Sequence, residues 1–350
     1  MALATKPIVQ NLGDYTYQAI QKHFKKTLKW EKTVKKDEDS EALHQMRVGM
    51  RRLRTVVSSF DFAVNLPKTV CDRNIGKIAR KLGELRDLDV LKESIETNFQ
   101  AGLTNQELKH LQKAFDVFDK QRETIALSVK EILKDTRYKL LKSSLNGWLE
   151  EPSYQESAKL PIELVLPDLL LPEVSKFLLH PGWLFNPSLD ENNSIGKLSK
   201  FSHVNDSTNL KKEKNHKYLA GNNEVLHNLR KQSKRLRYQM ELFVDFYDET
   251  YEGYVGDVKN IQDVLGEIHD FDVLEKWFID IFGSEFTEKL PTFVNLLAEK
   301  RHELWQRWLP LQQRYMQADT RHKLHLAILH PIQEPYSQAE LQEQTQHEKN

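Results

Sequence analysis

The 350 residues carry 51 Lys plus Arg and 51 Asp plus Glu, for a formal net charge of zero, with 39 % hydrophobic and 29 % charged residues. That balance is ordinary for a globular chain long enough to bury a substantial core, and no stretch approaches the roughly 20 apolar residues of a membrane span. A single cysteine, Cys71, excludes an internal disulfide and has no His or Asp around it in a nucleophile pattern, so it receives no role.

Zero net charge by itself calls for neither a nucleic acid nor a membrane; the distribution of charge matters. The opening Met-Ala-Leu-Ala-Thr-Lys-Pro lacks the charged region and apolar run of a secretion signal, so a cytoplasmic protein is expected.

Apolar residues recur with helical period almost throughout, and runs alternating with period two are scarce, which predicts an all-α fold. In chain order the pattern predicts helices near 14–36, 40–64, 70–100 and 104–149, the last broken near Arg137. Residues 160–184 are apolar and interrupted by prolines, and read as short packed helices. The stretch 186–216, rich in Asn, Ser, Asp and Lys, reads as a mobile loop because it buries too little apolar surface to offset ordering. Helices resume near 222–249, 251–282 and 286–330, with an interruption expected at Pro310. The Gln- and Glu-rich 333–350 reads as a disordered tail.

Two segments repeat. His44-Gln-Met-Arg47-Val-Gly-Met-Arg51-Arg52-Leu53-Arg54 returns as His227-Asn-Leu-Arg230-Lys-Gln-Ser-Lys234-Arg235-Leu236-Arg237, an offset of 227 − 44 = 183. The same offset joins Phe60 to Phe243, and Leu82-Gly83-Glu84-Leu85-Arg86-Asp87-Leu88-Asp89-Val90-Leu91 to Leu265-Gly266-Glu267-Ile268-His269-Asp270-Phe271-Asp272-Val273-Leu274. Agreement in one register over about fifty residues predicts a tandem duplication. One domain is expected over 12–330, with a first half at 12–150, a connecting segment at 151–221 and a second half at 222–330.

At about 100° per residue, with His44 at zero, Arg47 falls near −60°, Arg51 near −20° and Arg54 near −80°. The opposite side carries Met46, Met50, Leu53, Val57 and Phe60, so the helix is amphipathic with a cationic outer face. A solvated face normally mixes signs, yet residues 42–60 and 225–240 contain no Asp or Glu. Like charges spaced i,i+3 and i,i+4 repel by about 0.2–0.5 kcal/mol per pair, and the arrangement occurs twice. Arginine predominates, and its planar fork suits bidentate contact with phosphate oxygens. If a pseudo-twofold axis relates the halves, the two faces meet across a central basic channel suited to a linear polyanion.

Asp87, Asp89, Asp270 and Asp272 either hold those arginines in orientation or are ordinary surface acids. Lys77, Arg80 and Lys81 precede the first acidic segment, but their counterparts are Asn260, Asp263 and Val264, so any anion contact there is asymmetric.

These residues resemble the CHAD family, the conserved histidine α-helical domain, over about residues 12–330. The resemblance implies two helical bundles related by pseudo-twofold symmetry around a basic pocket for inorganic polyphosphate. By position, His44, Arg47, Arg51, Arg54, His227, Arg230, Lys234 and Arg237 would line it, with Arg52 and Arg235 adjoining. It further implies association with polyphosphate granules. Departures are the long polar 186–216 segment and His269 where the first copy has Arg86. The Glu-x-Glu-x-Lys signature of the triphosphatase domain fused to some members is not found in this sequence, so a binding module alone, without catalytic residues or cofactor, is expected.

Rival functions meet local obstacles. A metal-dependent phosphohydrolase or phosphoryl-transfer enzyme built on His44 and His227 needs further ligands, but positions 47, 48, 230 and 231 hold Arg, Val, Arg and Lys. His322 and His325 have helical metal-ligand spacing without a third candidate nearby. Single-strand nucleic-acid binding wants aromatic residues interleaved with the cations, and only Tyr238 lies near the basic faces. A scaffold role through the polar segments is compatible with anion binding.

Overall fold

The computed structural model describes residues 11–185 and 209–332, with side chains described from Glu224 onward in the second segment. The expected tail at 333–350 and most of the expected loop, 186–208, lie outside these residues.

Local capping sets the first helices. α1 (Leu12–Lys36) starts where Asn11 accepts a hydrogen bond from the Asp14 backbone and stops at Asp37, which takes a left-handed conformation. α2 (Ser40–Ser59) is capped by Asp39, whose carboxylate accepts from the Glu41 N–H. It ends five residues short of the expected 64. α3 (Asp72–Asn98) follows, and a capping box of Thr104 and Glu107 opens α4 (Asn105–Lys134). The predicted break near Arg137 falls at Asp135, the N-cap of α5 (Thr136–Glu150).

Three expectations are corrected. Residues 160–184 form one continuous helix, α6 (Ile162–Leu178), with Pro167 and Pro172 inside it, followed by a 3₁₀ turn at Pro181–Leu184. Apolar packing outweighs the helix bonds the prolines remove, since Leu166, Leu170, Val174 and Phe177 are fully buried. Helix α7 (Asn209–Leu242) begins well before 222, so 209–216 is helix rather than loop. Its Leu, Lys and Glu are good helix formers that show no apolar stripe. Pro310 sits inside α10 (Pro291–Met316), and the interruption comes at Gln317, ahead of α11 (Ala318–Leu329). Between α7 and α10 lie α8 (Glu249–Phe282) and the single turn α9 (Phe286–Lys289). Among the described residues the only extended pairing is an isolated bridge between Val64 and Tyr154, so the chain is all-α.

Helix α2 packs between α1 and α3, α7 packs between α6 and α8, and α2 and α7 touch each other. Leu43, Met46, Leu53 and Val57 are buried on α2, and Leu226, Leu229, Leu236 and Met240 occupy the same register on α7. With one stripe of each helix turned into the core, most of the basic residues on the other faces are left half-buried. Where α2 and α7 end, Phe60 and Phe243 meet edge-to-face with ring centroids 5.9 Å apart, and Tyr15 packs on both. The Tyr15 hydroxyl donates to the Leu242 carbonyl. Both Phe rings are fully buried, each contributing about 1.5–3 kcal/mol of transfer free energy, which anchors α2 against α7.

Candidate anion-binding site

Arg47 and Arg230 each pack against a glycine of the next helix. A Cβ on Gly83 would meet the Arg47 Nε at 3.4 Å, and one on Gly266 would meet the Arg230 Nε at 3.3 Å. Glycine inside a helix costs about 1 kcal/mol relative to alanine, so its presence at both places points to the close approach of a side chain. One helical turn further on, the Arg47 Nη2 donates to Asp87 at 2.8 Å, and Arg230 approaches Asp270 at 3.9 Å. Arg–Gly–Asp contacts thus recur at the 183-residue offset, on α2–α3 and again on α7–α8.

The two sets adjoin. The Lys234 amine is desolvated and lies among Arg51, Arg230 and Arg47, which together push its pKa down to about 6 against the opposing pull of Asp87. Burial raises the Asp270 carboxyl; Asp87 adds to the rise, while Arg230, Lys234 and Arg47 oppose it. Burial also lowers Arg47, with Arg51 adding to the effect. Tyr238 joins the helices by accepting from the Arg51 Nη1 at 3.3 Å. Four basic groups, two from each motif helix, therefore converge with two carboxylates among them. Arg47 and Arg230 each keep a buried Nε without a hydrogen-bond partner. Such a cluster favours a multiply charged anion, because each phosphate oxygen placed there relieves repulsion already present.

The remaining sequence-predicted residues are arranged around this centre. Arg52 donates to Glu241 at 3.0 Å and Arg237 approaches the same carboxylate at 3.4 Å, so both are engaged in a bridge between α2 and α7. Arg54 makes a bidentate pair with Asp72 at 2.6 and 2.8 Å, and Arg235 and Arg80 also act on that carboxylate. Lys81 pairs with Glu84 at 2.7 Å, while Lys77 is half-buried on α3 without an ion-pair partner among the described residues.

Desolvation lowers His44 first; Arg86, Arg47 and Lys26 add to the effect and Glu41 opposes it. Desolvation likewise lowers His227, helped by Lys231, Arg230 and Lys234. The His227 ring packs against His269 at a tilt, with centroids 4.0 Å apart, and burial together with His227 and Arg230 pushes the His269 pKa down to about 4. His325 Nδ1 lies 2.7 Å from the Arg321 carbonyl in its own helix.

Asp89 and Asp272 do not orient the cluster. Asp89 accepts from the Arg122 Nε at 2.8 Å, and Arg122 also grips Asp37. Asp272 accepts from Arg301 at 3.0 Å. The reason is geometric: positions i and i+2 of a helix point about 200° apart, so Asp87 and Asp89 cannot serve one site. Sequence reasoning missed Tyr238 as a bridge, Glu241 as a shared acceptor and both glycine seats; only the glycines left a signal, as mid-helix residues held at the repeat offset.

The CHAD domain profile matches residues 18–278. The chain belongs to the CHAD domain family. Two solved structures share its architecture. The crystal structure of the CHAD domain from the plant Ricinus communis is 19 % identical with a TM-score of 0.56, covering 95 % of this chain and 96 % of that one. The structure of PptA from Streptomyces chartreusis is 14 % identical with a TM-score of 0.58, covering 88 % and 100 %. At such identities the likeness concerns the fold alone. No curated protein matches the sequence significantly. Within this CHAD domain, the histidine motif that names the family is the segment that carries α2 and α7 to their mutual contact.

Proposed function

We propose that this CHAD domain binds inorganic polyphosphate without catalysing its turnover, in a basic channel between two copies of one helical unit related by a pseudo-twofold axis. The observation that carries the reading is the convergence of Arg47, Arg51, Arg230 and Lys234, with Lys234 depressed to about 6 by burial and by its cationic neighbours. Desolvated like charges are destabilising in the free protein, and a linear polyanion is the partner that offsets them. Duplication is supported by the repeated Arg–Gly–Asp contacts and by Phe60 packing on Phe243, its own counterpart at the repeat offset. A polyphosphate ligand is consistent with family membership and with a cytoplasmic setting.

Nucleic acid is disfavoured by the occupancy of Tyr238. One face of its ring is covered by the Arg237 guanidinium at 4.9 Å and its hydroxyl is held by Arg51, so this aromatic near the basic faces is already engaged. Metal chemistry at the paired histidines is disfavoured by the guanidinium and ammonium groups of Arg230 and Lys231 beside them.

The test is the double charge reversal Arg51→Glu with Lys234→Glu. Charge-assisted contacts of about 1.5–3 kcal/mol each imply a loss of at least a hundredfold in polyphosphate affinity with helicity retained. Unchanged affinity in a folded double variant would sink the channel.

A further inference from the structure

The helices that flank the two basic faces differ in charge. α1, packed on α2, carries Lys22, Lys25, Lys26 and Lys29, and residues 15–30 hold no Asp or Glu. α6, packed on α7, carries Glu163, Asp168 and Glu173 against one lysine, Lys176, which pairs with Glu173 at 2.5 Å. At about 100° per residue the four α1 lysines fall within roughly 100° of arc, on one face about 10 Å long.

They are also distinct from the lysines nearer the end of the same helix. Lys35 pairs with Glu31 and Lys36 with Glu38. Among the described residues, Lys22, Lys25, Lys26 and Lys29 make no ion pair. This face adjoins the motif helix: desolvation and the charge of Arg52 lower Lys26, with Lys22 and Lys29 adding to the shift and Glu41 on α2 opposing it. Lys26 in turn bears on His44. Basic groups therefore run from Lys234 and Arg51 through Arg47 and His44 onto Lys26 and its neighbours.

We infer that the α1 lysine face is an extension of the polyanion site, over which a long chain leaving the α2–α7 cluster continues on the α1 side and not on the α6 side. The inference rests on the polyphosphate reading and adds a direction and a length dependence to it. A ligand of three phosphates fills the central cluster alone, whereas a chain of many phosphates reaches Lys22, Lys26 and Lys29 as well.

The experiment compares the full chain with the triple variant Lys22→Gln, Lys26→Gln, Lys29→Gln, using tripolyphosphate and a polyphosphate of about 100 units as ligands at several salt concentrations. All three side chains project to solvent or are half-buried, and a melting curve verifies that the variant folds. The expected result is a loss of about tenfold or more in long-chain affinity, with the slope of log K against log salt shallower by about 2, as three fewer neutralised phosphates imply at ~0.7 each. Tripolyphosphate affinity stays within about twofold. Equal losses for both ligands, or an unchanged long-chain slope, would overturn the inference while leaving the central site standing. Failure of the unaltered protein to bind either ligand would instead overturn the polyphosphate reading itself.

Discussion

The two motif helices bring basic residues from matching positions to one cluster but hold them differently. On α2–α3 the arginine is committed: Arg47 donates to Asp87 at 2.8 Å. On α7–α8 the corresponding separation, Arg230 to Asp270, is 3.9 Å, and burial raises the pKa of the Asp270 carboxyl. Beside them Arg86 acts on His44, whereas its counterpart His269 packs against His227 at a tilt. One motif arginine is thus fixed in orientation, while its counterpart at the 183-residue offset is less engaged and lies beside two imidazoles whose pKa values are lowered by burial. The second half is where binding and pH should have the larger effect.

Single truncations should show the largest asymmetry. Arg230→Ala is expected to weaken polyphosphate binding by about 2 kcal/mol, roughly thirtyfold, and Arg47→Ala by less, because Arg47 must first release Asp87. Titration calorimetry on both variants measures the difference, and equal losses would remove the distinction between the halves.

Lys234 sharpens the contrast through pH. Its folded pKa of about 6 lies below its ordinary value of 10.5, so the unfolded chain holds a proton across that window that the folded protein gives up. The contribution of this group to stability therefore rises with pH from about 6 upward, and its penalty is greatest below about 6. Lys234→Met is accordingly expected to stabilise the free protein by about 1 kcal/mol at pH 7, more at pH 5.5, while impairing binding. Thermal melts at the two pH values test the sign. Anion binding should pull protons onto Lys234 and the lowered histidines, so affinity rises as pH falls from about 8 to 5.5 with net proton uptake. Calorimetry in buffers of different ionisation enthalpy reads that uptake directly, and a flat profile removes these groups as charged donors.

Smaller effects probe the seats. Gly266→Ala places a Cβ at 3.3 Å from the Arg230 Nε, so the guanidinium must give by a few tenths of an ångström. Helix propensity should raise stability by as much as about 1 kcal/mol. Affinity should drop about threefold, since bidentate contact depends on the plane of the fork. Smallest of all, His269→Arg copies the first half into the second and should flatten the pH profile without abolishing binding.

Much of the fold could be read from the sequence because its signals are local and periodic. The 3.6-residue stripe of Met46, Met50, Leu53 and Val57 sets the buried side of α2, and the 183-residue offset carries the same assignment to Leu229, Leu236 and Met240 on α7. Where tertiary packing overrides local chemistry, the sequence misleads. Pro310 is carried inside α10 beside the buried Trp305 and Trp308, and the polar start of α7 is helical without an apolar stripe to announce it. The site divides in the same way. The cations of His44–Arg54 and His227–Arg237 stand out because acids are missing around them, and the structure brings Arg47, Arg51, Arg230 and Lys234 together. Which carboxylate holds which arginine depends on helix azimuth across the fold, and so Asp89 and Asp272 went to Arg122 and Arg301. The α1 lysines carried no signal of their own, since a lysine face on one helix looks solvated until its neighbour is known.

The most direct test of the central claim is calorimetric titration of the unaltered protein with defined long-chain polyphosphate at two salt concentrations, with single-stranded DNA as competitor. The expected result is tight binding whose log K falls with log salt at a slope of about −3 or steeper for four or more neutralised phosphates, and which DNA does not displace. Absence of binding, or equal affinity for DNA, would contradict it.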